Sequence, residues 1–121
     1  MMKIAITAAG DNLQSPLDSR FGRALKFVII DSETSAVTAV DNRQNLNSPQ
    51  GAGIQAAMTV VQAGASVLIT GHCGPKAFKV LQSAGIKIYQ TDAPTVAEAL
   101  EHFRAGQLVE TQNSDVEGHW V

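Results

Sequence analysis

A single cysteine, Cys73, stands in a chain of 121 residues, and that scarcity excludes an intramolecular disulfide framework. Zinc ribbons and cysteine-ligated iron–sulfur clusters built within one chain are excluded as well, because they need three or four thiolates. An excess of positive charge is also missing: nine Lys and Arg against eleven Asp and Glu leave a formal net charge of −2. A non-specific nucleic-acid binder needs a broad basic field, so no nucleic-acid partner is expected. Long apolar runs are absent, the longest being Lys26–Ile30 and Ser66–Ile69, and neither approaches the length of a membrane span. The opening residues Met1-Met2-Lys3-Ile4-Ala5-Ile6 lack the apolar stretch of a secretory signal, which makes a reducing cytoplasm the expected address. No Ser–His–Asp arrangement and no close pair of carboxylates stands out, so hydrolytic catalysis has no visible constellation.

What is present is a chain with 45% apolar and 17% charged residues, too hydrophobic for intrinsic disorder and of a length for one domain. Residues 3–8 read as a short buried strand, ended by the turn formers Ala9-Gly10-Asp11-Asn12. The stretch to Gly22 has no sustained period and is expected to be loop. Leu25–Asp31 and Ala36–Asn42 are β-type runs spaced as an antiparallel hairpin, followed by a polar loop over residues 43–50. After Gly51-Ala52-Gly53, the positions Ile54, Ala57, Met58 and Val61 recur at helical spacing, with Gly64 placed as a helix-ending glycine. Ser66–Thr70 is a strand, Gly71-His72-Cys73-Gly74 a turn, and Pro75 the first residue of a helix ended by Gly85. Ile86–Tyr89 is the last strand. A third helix opens at Pro94, capped by Asp92 or Ala93, and stops before Gly106. The expected organisation is one cofactor-binding domain over residues 1–106 and a C-terminal tail, 107–121, with little order of its own. Such an element order implies an α/β fold with a mixed five-stranded sheet covered by helices. Ligands of open α/β sheets bind beyond the carboxyl ends of the parallel strands, here Ala9-Gly10-Asp11, Gly71-His72-Cys73-Gly74 and Gln90-Thr91-Asp92.

Three loops carry candidate chemistry. Gly71-His72-Cys73-Gly74-Pro75-Lys76 combines two glycines, two soft ligands and a cation at a helix start. Glycine suits the backbone angles of the turn, helix amides attract an anion, and a cysteine at that place is expected to have a lowered thiol pKa that favours soft-metal ligation or redox chemistry. The same residues also fit a plain structural role, with Cys73 a small buried hydrophobe and the glycines turning the chain. Arg20-Phe21-Gly22-Arg23 offers two arginines that can clamp an anion. Asn47 to Gly53 again places small residues, among them Gly51 and Gly53, before a helix, which exposes backbone amides. Cys73 followed by five residues and Lys79 lies one substitution from a cysteine phosphatase loop. A cysteine-dependent enzyme, phosphatase-like or thiol redox in kind, is therefore the alternative class, although lysine cannot grip phosphate in the bidentate manner of arginine. His102 and His119 read as a helix-face residue and a tail residue.

Taken in order, Ser19 to Ala24, Asn47 to Gly53, Gly71 to Phe78, Ala84 to Tyr89 and Thr95 to Leu100 make the chain resemble the dinitrogenase iron–molybdenum cofactor biosynthesis family, which includes small cofactor carriers and the molybdenum–copper orange protein group. The resemblance spans Lys3 to about Leu108. It implies a ribonuclease H-like three-layer α/β/α fold and a non-catalytic role in holding or carrying a metal–sulfur cluster anion, either a molybdenum–copper sulfide or one like the iron–molybdenum cofactor. Donor and acceptor proteins for the cluster are the implied partners, with no membrane involved. On this basis Arg20, Phe21, Gly22, Arg23, Asn47, Gly51, Gly53, Gly71, Gly74 and Lys76 are the expected cofactor-binding residues, and His72 and Cys73 the expected metal ligands. Many members carry histidine before the Phe-Gly pair where this chain has Arg20, which moves soft ligation toward the His72-Cys73 turn.

Overall fold

The computed structural model describes residues 2–47 and 51–111. Five strands, β1 (Lys3–Ala8), β2 (Lys26–Asp31), β3 (Val37–Asp41), β4 (Val67–Thr70) and β5 (Lys87–Gln90), form one sheet in the order β3-β2-β1-β4-β5. β1 pairs antiparallel with β2, and β2 with β3, whereas β4 runs parallel to both β1 and β5. The expected mixed sheet is therefore present, with the hairpin on one side and the crossover units on the other. No described helix is long and apolar enough to cross a membrane.

Alternation along the strands divides the apolar residues into two cores. Ala5, Phe27, Ile29, Leu68 and Ile88 face one side, where they are covered by α1 (Ala52–Gln62) and α2 (Pro75–Ser83) through Ala56, Ala57, Val60, Phe78 and Leu81. Ile4, Ile6, Val28, Ile30, Val67 and Ile69 face the other and meet Val96, Ala99 and Leu100 of α3 (Val96–Arg104). A period of two in a sheet covered on both faces gives this outcome directly. The chain is thus a three-layer α/β/α domain.

The three described α-helices end alike. Gly64, Gly85 and Gly106 have φ of +81, +80 and +73, in the left-handed region that only glycine enters without cost. At the amino ends the helices differ. α3 begins at Val96, not at Pro94, and its cap is Thr95, whose hydroxyl accepts from the Glu98 N–H at 3.2 Å. The sequence holds this signal as a capping box, Thr95-Val96-Ala97-Glu98, which outranks Asp92 and Ala93 as a start. α1 starts at Ala52, inside the glycine-rich stretch expected to precede it, behind Gly51 with φ +104.

Three other segments depart from expectation. The loop after β1 is stapled to the sheet: Asp18 donates its N–H to the Thr7 carbonyl, and the buried Thr7 hydroxyl donates to the Asp18 carbonyl at 2.6 Å. Two short 3-10 turns, Phe21–Arg23 and Arg43–Asn45, stand where loop was expected. Beyond Gly106 the described chain stays on the domain. Leu108 packs into the α3-side core, Glu110 bridges Tyr89, and the Thr111 N–H donates to the Ile88 carbonyl at 2.7 Å. An apolar residue and an open strand edge explain the attachment. Residues 112–121, the rest of the expected tail with His119, lie outside the described residues.

Candidate functional site

The exit of β4 organises the rim. His72 donates its N–H to the Ser19 carbonyl at 2.7 Å and accepts from the Phe21 N–H at 3.0 Å, so the Ser19–Phe21 segment lies strand-like against the turn. Gly71 makes this approach sterically feasible, since a Cβ there would lie 2.6 Å from the Ser19 carbonyl oxygen and 2.7 Å from its Cα. Glycine was expected in this turn for its backbone angles. The structure assigns a different reason: Gly71 is not among the glycines of positive φ and Gly74 has φ −69, so at Gly71 the constraint is space.

On one side of the turn is a cavity of about 320 Å³, lined by Phe21, Gly22, Gly51, Gly53, Ile54, Gly74, Pro75, Lys76 and Ala77. The amino ends of α1 and α2 meet in it. The first backbone bonds of these helices run from Gln55 to Gly51 and from Phe78 to Gly74, so the amides of Gly53, Ile54, Lys76 and Ala77 precede both hydrogen-bond ladders. Among the described residues neither helix has a side-chain cap or an acidic residue in its first turn, in contrast to α3 with Thr95 and Glu98. Both partial positive charges of the macrodipoles therefore fall on one small volume, with the exposed Lys76 among the residues that line it. Between them the walls close tightly: a Cβ on Gly22 would stand 2.9 Å from Gly53 Cα.

Six of the expected binding residues, Phe21, Gly22, Gly51, Gly53, Gly74 and Lys76, line this cavity together. Ile54, Pro75 and Ala77 join them as apolar walls that the sequence reading did not single out, because helical spacing does not distinguish a cavity wall from a core position. Gly71 and His72 line a second cavity of about 600 Å³ on the α3 side, with Ser19, Gln90, Thr91, Asp92, His102, Gln107 and Leu108. Arg20, Arg23 and Asn47 line neither cavity. The Arg20 side chain is 68% exposed and its guanidinium lies 3.7 Å from the carboxylate of Asp18, while Arg23 donates to the Leu46 carbonyl at 3.2 Å. Arg43 is engaged by Asp41 through a fork of 3.1 and 2.9 Å, and this hydrogen-bonded guanidinium, aided by the Arg43 N–H, lowers the Asp41 carboxyl to about 2.

Cys73, expected as a metal ligand, is 1% exposed and packs in the apolar core beneath the cavity with Phe21, Ala77 and Phe78. Pro75 does open α2, so the stretch from Cys73 to Lys79 is a helix start and not an open phosphate loop. Burial of the thiol and loss of the loop both speak against a cysteine nucleophile. Cys73→Ser is expected to cost about 2 kcal/mol by exchanging a weakly hydrated thiol for a strongly hydrated hydroxyl at a buried position. Denaturant titration checks the loss, and in the native chain an aromatic disulfide reagent should modify Cys73 only at the rate of unfolding. Among the described residues no three His, Cys, Asp or Glu side chains gather as a metal-ligand set.

A family model described as dinitrogenase iron-molybdenum cofactor matches residues 2–106. The chain belongs to the dinitrogenase iron-molybdenum cofactor family. This family member is 44% identical to the orange protein of Desulfovibrio gigas, solved in its apo form, across 96% of this chain and 98% of that one, with a TM-score of 0.91. A Thermotoga protein described as belonging to the DUF35 family is 35% identical over 98% of this chain and 100% of its own, with a TM-score of 0.85. An uncharacterised protein of Methanocaldococcus jannaschii is 30% identical over 110 residues, covering 89% of this chain and 90% of its own. The span shared with the family model includes every residue of the first cavity and stops at Gly106, before the residues that cover the edge of β5.

Proposed function

We propose that the chain binds and carries a molybdenum-containing metal–sulfur cluster anion in the cavity between α1 and α2, and that its role is carriage, not catalysis. The observation that carries this reading is the meeting of two helix amino ends, both without a side-chain cap, on one cavity that also holds Lys76. Amides and an ammonium are the donors on offer, and they suit an anion held by charge and hydrogen bonds. The apolar walls of Phe21, Ile54, Pro75 and Ala77 favour a weakly hydrated, sulfide-terminated anion over a strongly hydrated oxyanion, which loses more solvation on entry. A molybdenum–copper sulfide is the first candidate, by way of the orange protein, and a cluster like the iron–molybdenum cofactor the second, by way of the family.

Arg20 and Arg23 flank the site and supply field rather than contact, steering an anion from solvent. Cys73 and His72 are not needed as ligands on this reading, and Cys73→Ser protein that remains folded keeps the spectrum of the loaded form. Donor and acceptor proteins would load and empty the site in the cytoplasm. The strand order β3-β2-β1-β4-β5 supports a ribonuclease H-like assignment for the scaffold.

Apo protein mixed with tetrathiomolybdate, with and without copper(I), and then desalted is expected to retain the chromophore in stoichiometric amount. Lys76→Ala should bind about tenfold more weakly, the effect of losing one charge-assisted contact, and the difference should shrink as salt rises. Failure of the wild-type chain to retain the chromophore, or equal affinity in Lys76→Ala, would overturn the proposal.

A further inference from the structure

A chain of side-chain hydrogen bonds runs through the interior just outside the cavity. The amide of Asn42, fully buried, donates to the Ala24 carbonyl at 2.7 Å, directly after the turn that carries Phe21 and Gly22. Asn45, also buried, donates to the Asn42 carbonyl oxygen of its side chain at 2.8 Å and to the Thr59 hydroxyl at 2.9 Å. Thr59 in turn donates to the Gln55 carbonyl at 3.1 Å, in the second turn of α1. The backbone repeats the connection at its near end, where the Asn42 N–H donates to the Leu25 carbonyl at 2.9 Å. None of Asn42, Asn45 and Thr59 lines the cavity.

Burying two amides costs desolvation that an apolar packing would avoid, and a fully satisfied network returns that cost as a single fixed geometry. The geometry fixed here is specific. One end of the network holds the Phe21–Gly22 wall, the other holds α1 behind Gly51, Gly53 and Ile54, and the two walls touch through the Gly22–Gly53 backbone contact. We infer that the Asn42–Asn45–Thr59 chain is a positioning device that sets the separation of the cavity's two walls and so the tightness with which the site holds its anion. The inference rests on the proposed function for its affinity readout, and on the wall geometry alone for its structural one.

Thr59→Val keeps the volume of the side chain and removes the hydroxyl, whereas Thr59→Ser keeps the hydroxyl. With all proteins shown to be folded at the working temperature, Thr59→Val is expected to bind tetrathiomolybdate roughly five- to tenfold more weakly than wild type, the equivalent of one hydrogen bond, and Thr59→Ser to stay within about twofold. A residue of merely structural importance would lower the melting temperature of Thr59→Val without changing affinity in the folded protein. Amide chemical shifts of Gly22, Gly53 and Ile54 in the apo chain supply the second readout, and should move in Thr59→Val and not in Thr59→Ser. Unchanged affinity and unchanged shifts in folded Thr59→Val would overturn the inference. If wild type itself fails to bind, the functional proposal falls, and the shifts alone decide: moved amides sustain the positioning role and unmoved amides end it.

Discussion

Replacing Gly71 by alanine is expected to destabilise the domain by about 3 kcal/mol, the upper part of the range for overpacking, and to lower Tm by roughly 10 °C. The added Cβ would stand 2.6 Å from the Ser19 carbonyl oxygen and 2.7 Å from its Cα. These are backbone atoms, held by the pair of hydrogen bonds between His72 and the Ser19–Phe21 segment, so no flexible side chain can yield. Relief requires that segment to move away from the β4 exit, and the Phe21 wall of the cavity moves with it. Gly85→Ala is the informative control. Its φ of +80 carries strain, but nothing lies within 4 Å of the new Cβ, and the expected cost is about 1 kcal/mol. Denaturant unfolding of both variants separates a constraint of space from one of backbone angle, and equal costs would contradict the packing described here.

Gly53→Asp is expected to abolish anion binding while leaving the fold as stable as before, or slightly more so. Among the described residues a Cβ at Gly53 meets only Ala77 Cβ, at an ordinary 3.5 Å, so the first atom of the side chain has room. Losing a glycine from a helix and gaining an acid in its first turn both favour the folded chain, each by up to about 1 kcal/mol. For a bound anion the same carboxylate is a like charge in the mouth of the site. At about 4 Å and an effective dielectric of about 20 the repulsion is about 4 kcal/mol, enough for a loss of at least a hundredfold. Retention of tetrathiomolybdate after desalting measures one side of the claim and thermal unfolding the other. Tight binding by a folded Gly53→Asp would place the anion elsewhere.

Most of the architecture was legible from local signals that act in one direction only. The glycines after each helix, Pro75 at a helix start and the two-residue period of the strands each admit few conformations, and the elements follow them within a residue or two. Thr95 was legible too, since a capping box is a sequence pattern, but the prominence of Pro94 obscured it. The inward direction of Cys73 was not, because a turn has no period to say which residue looks at the core. Cavity walls such as Ile54 and Ala77 share the spacing of core residues and become walls only when the Phe21–Arg23 turn, α1 and α2 are brought together. The same limit applies to Asn42, Asn45 and Thr59, which are ordinary polar residues until folding buries the two asparagines and links them to the half-buried Thr59 in one network. Residues 107–111 carry one apolar anchor, Leu108, and the edge that receives them is a property of the sheet.

The contrast in helix starts has a consequence for the life of the protein. α3 closes its own amino end with Thr95, whereas the cap residues of α1 and α2, Gly51 and Gly74, have no side chain to close theirs. On the proposed function the cargo is a structural part of its carrier, shared between two helices as a common terminal group. Occupancy at 100 times the dissociation constant would add about 2.7 kcal/mol to the stability of the domain, a large fraction of what a chain of this size commands. Empty and filled chains would then differ in lifetime as well as in colour, and a cell's proteases could clear the idle carrier while sparing the one in service.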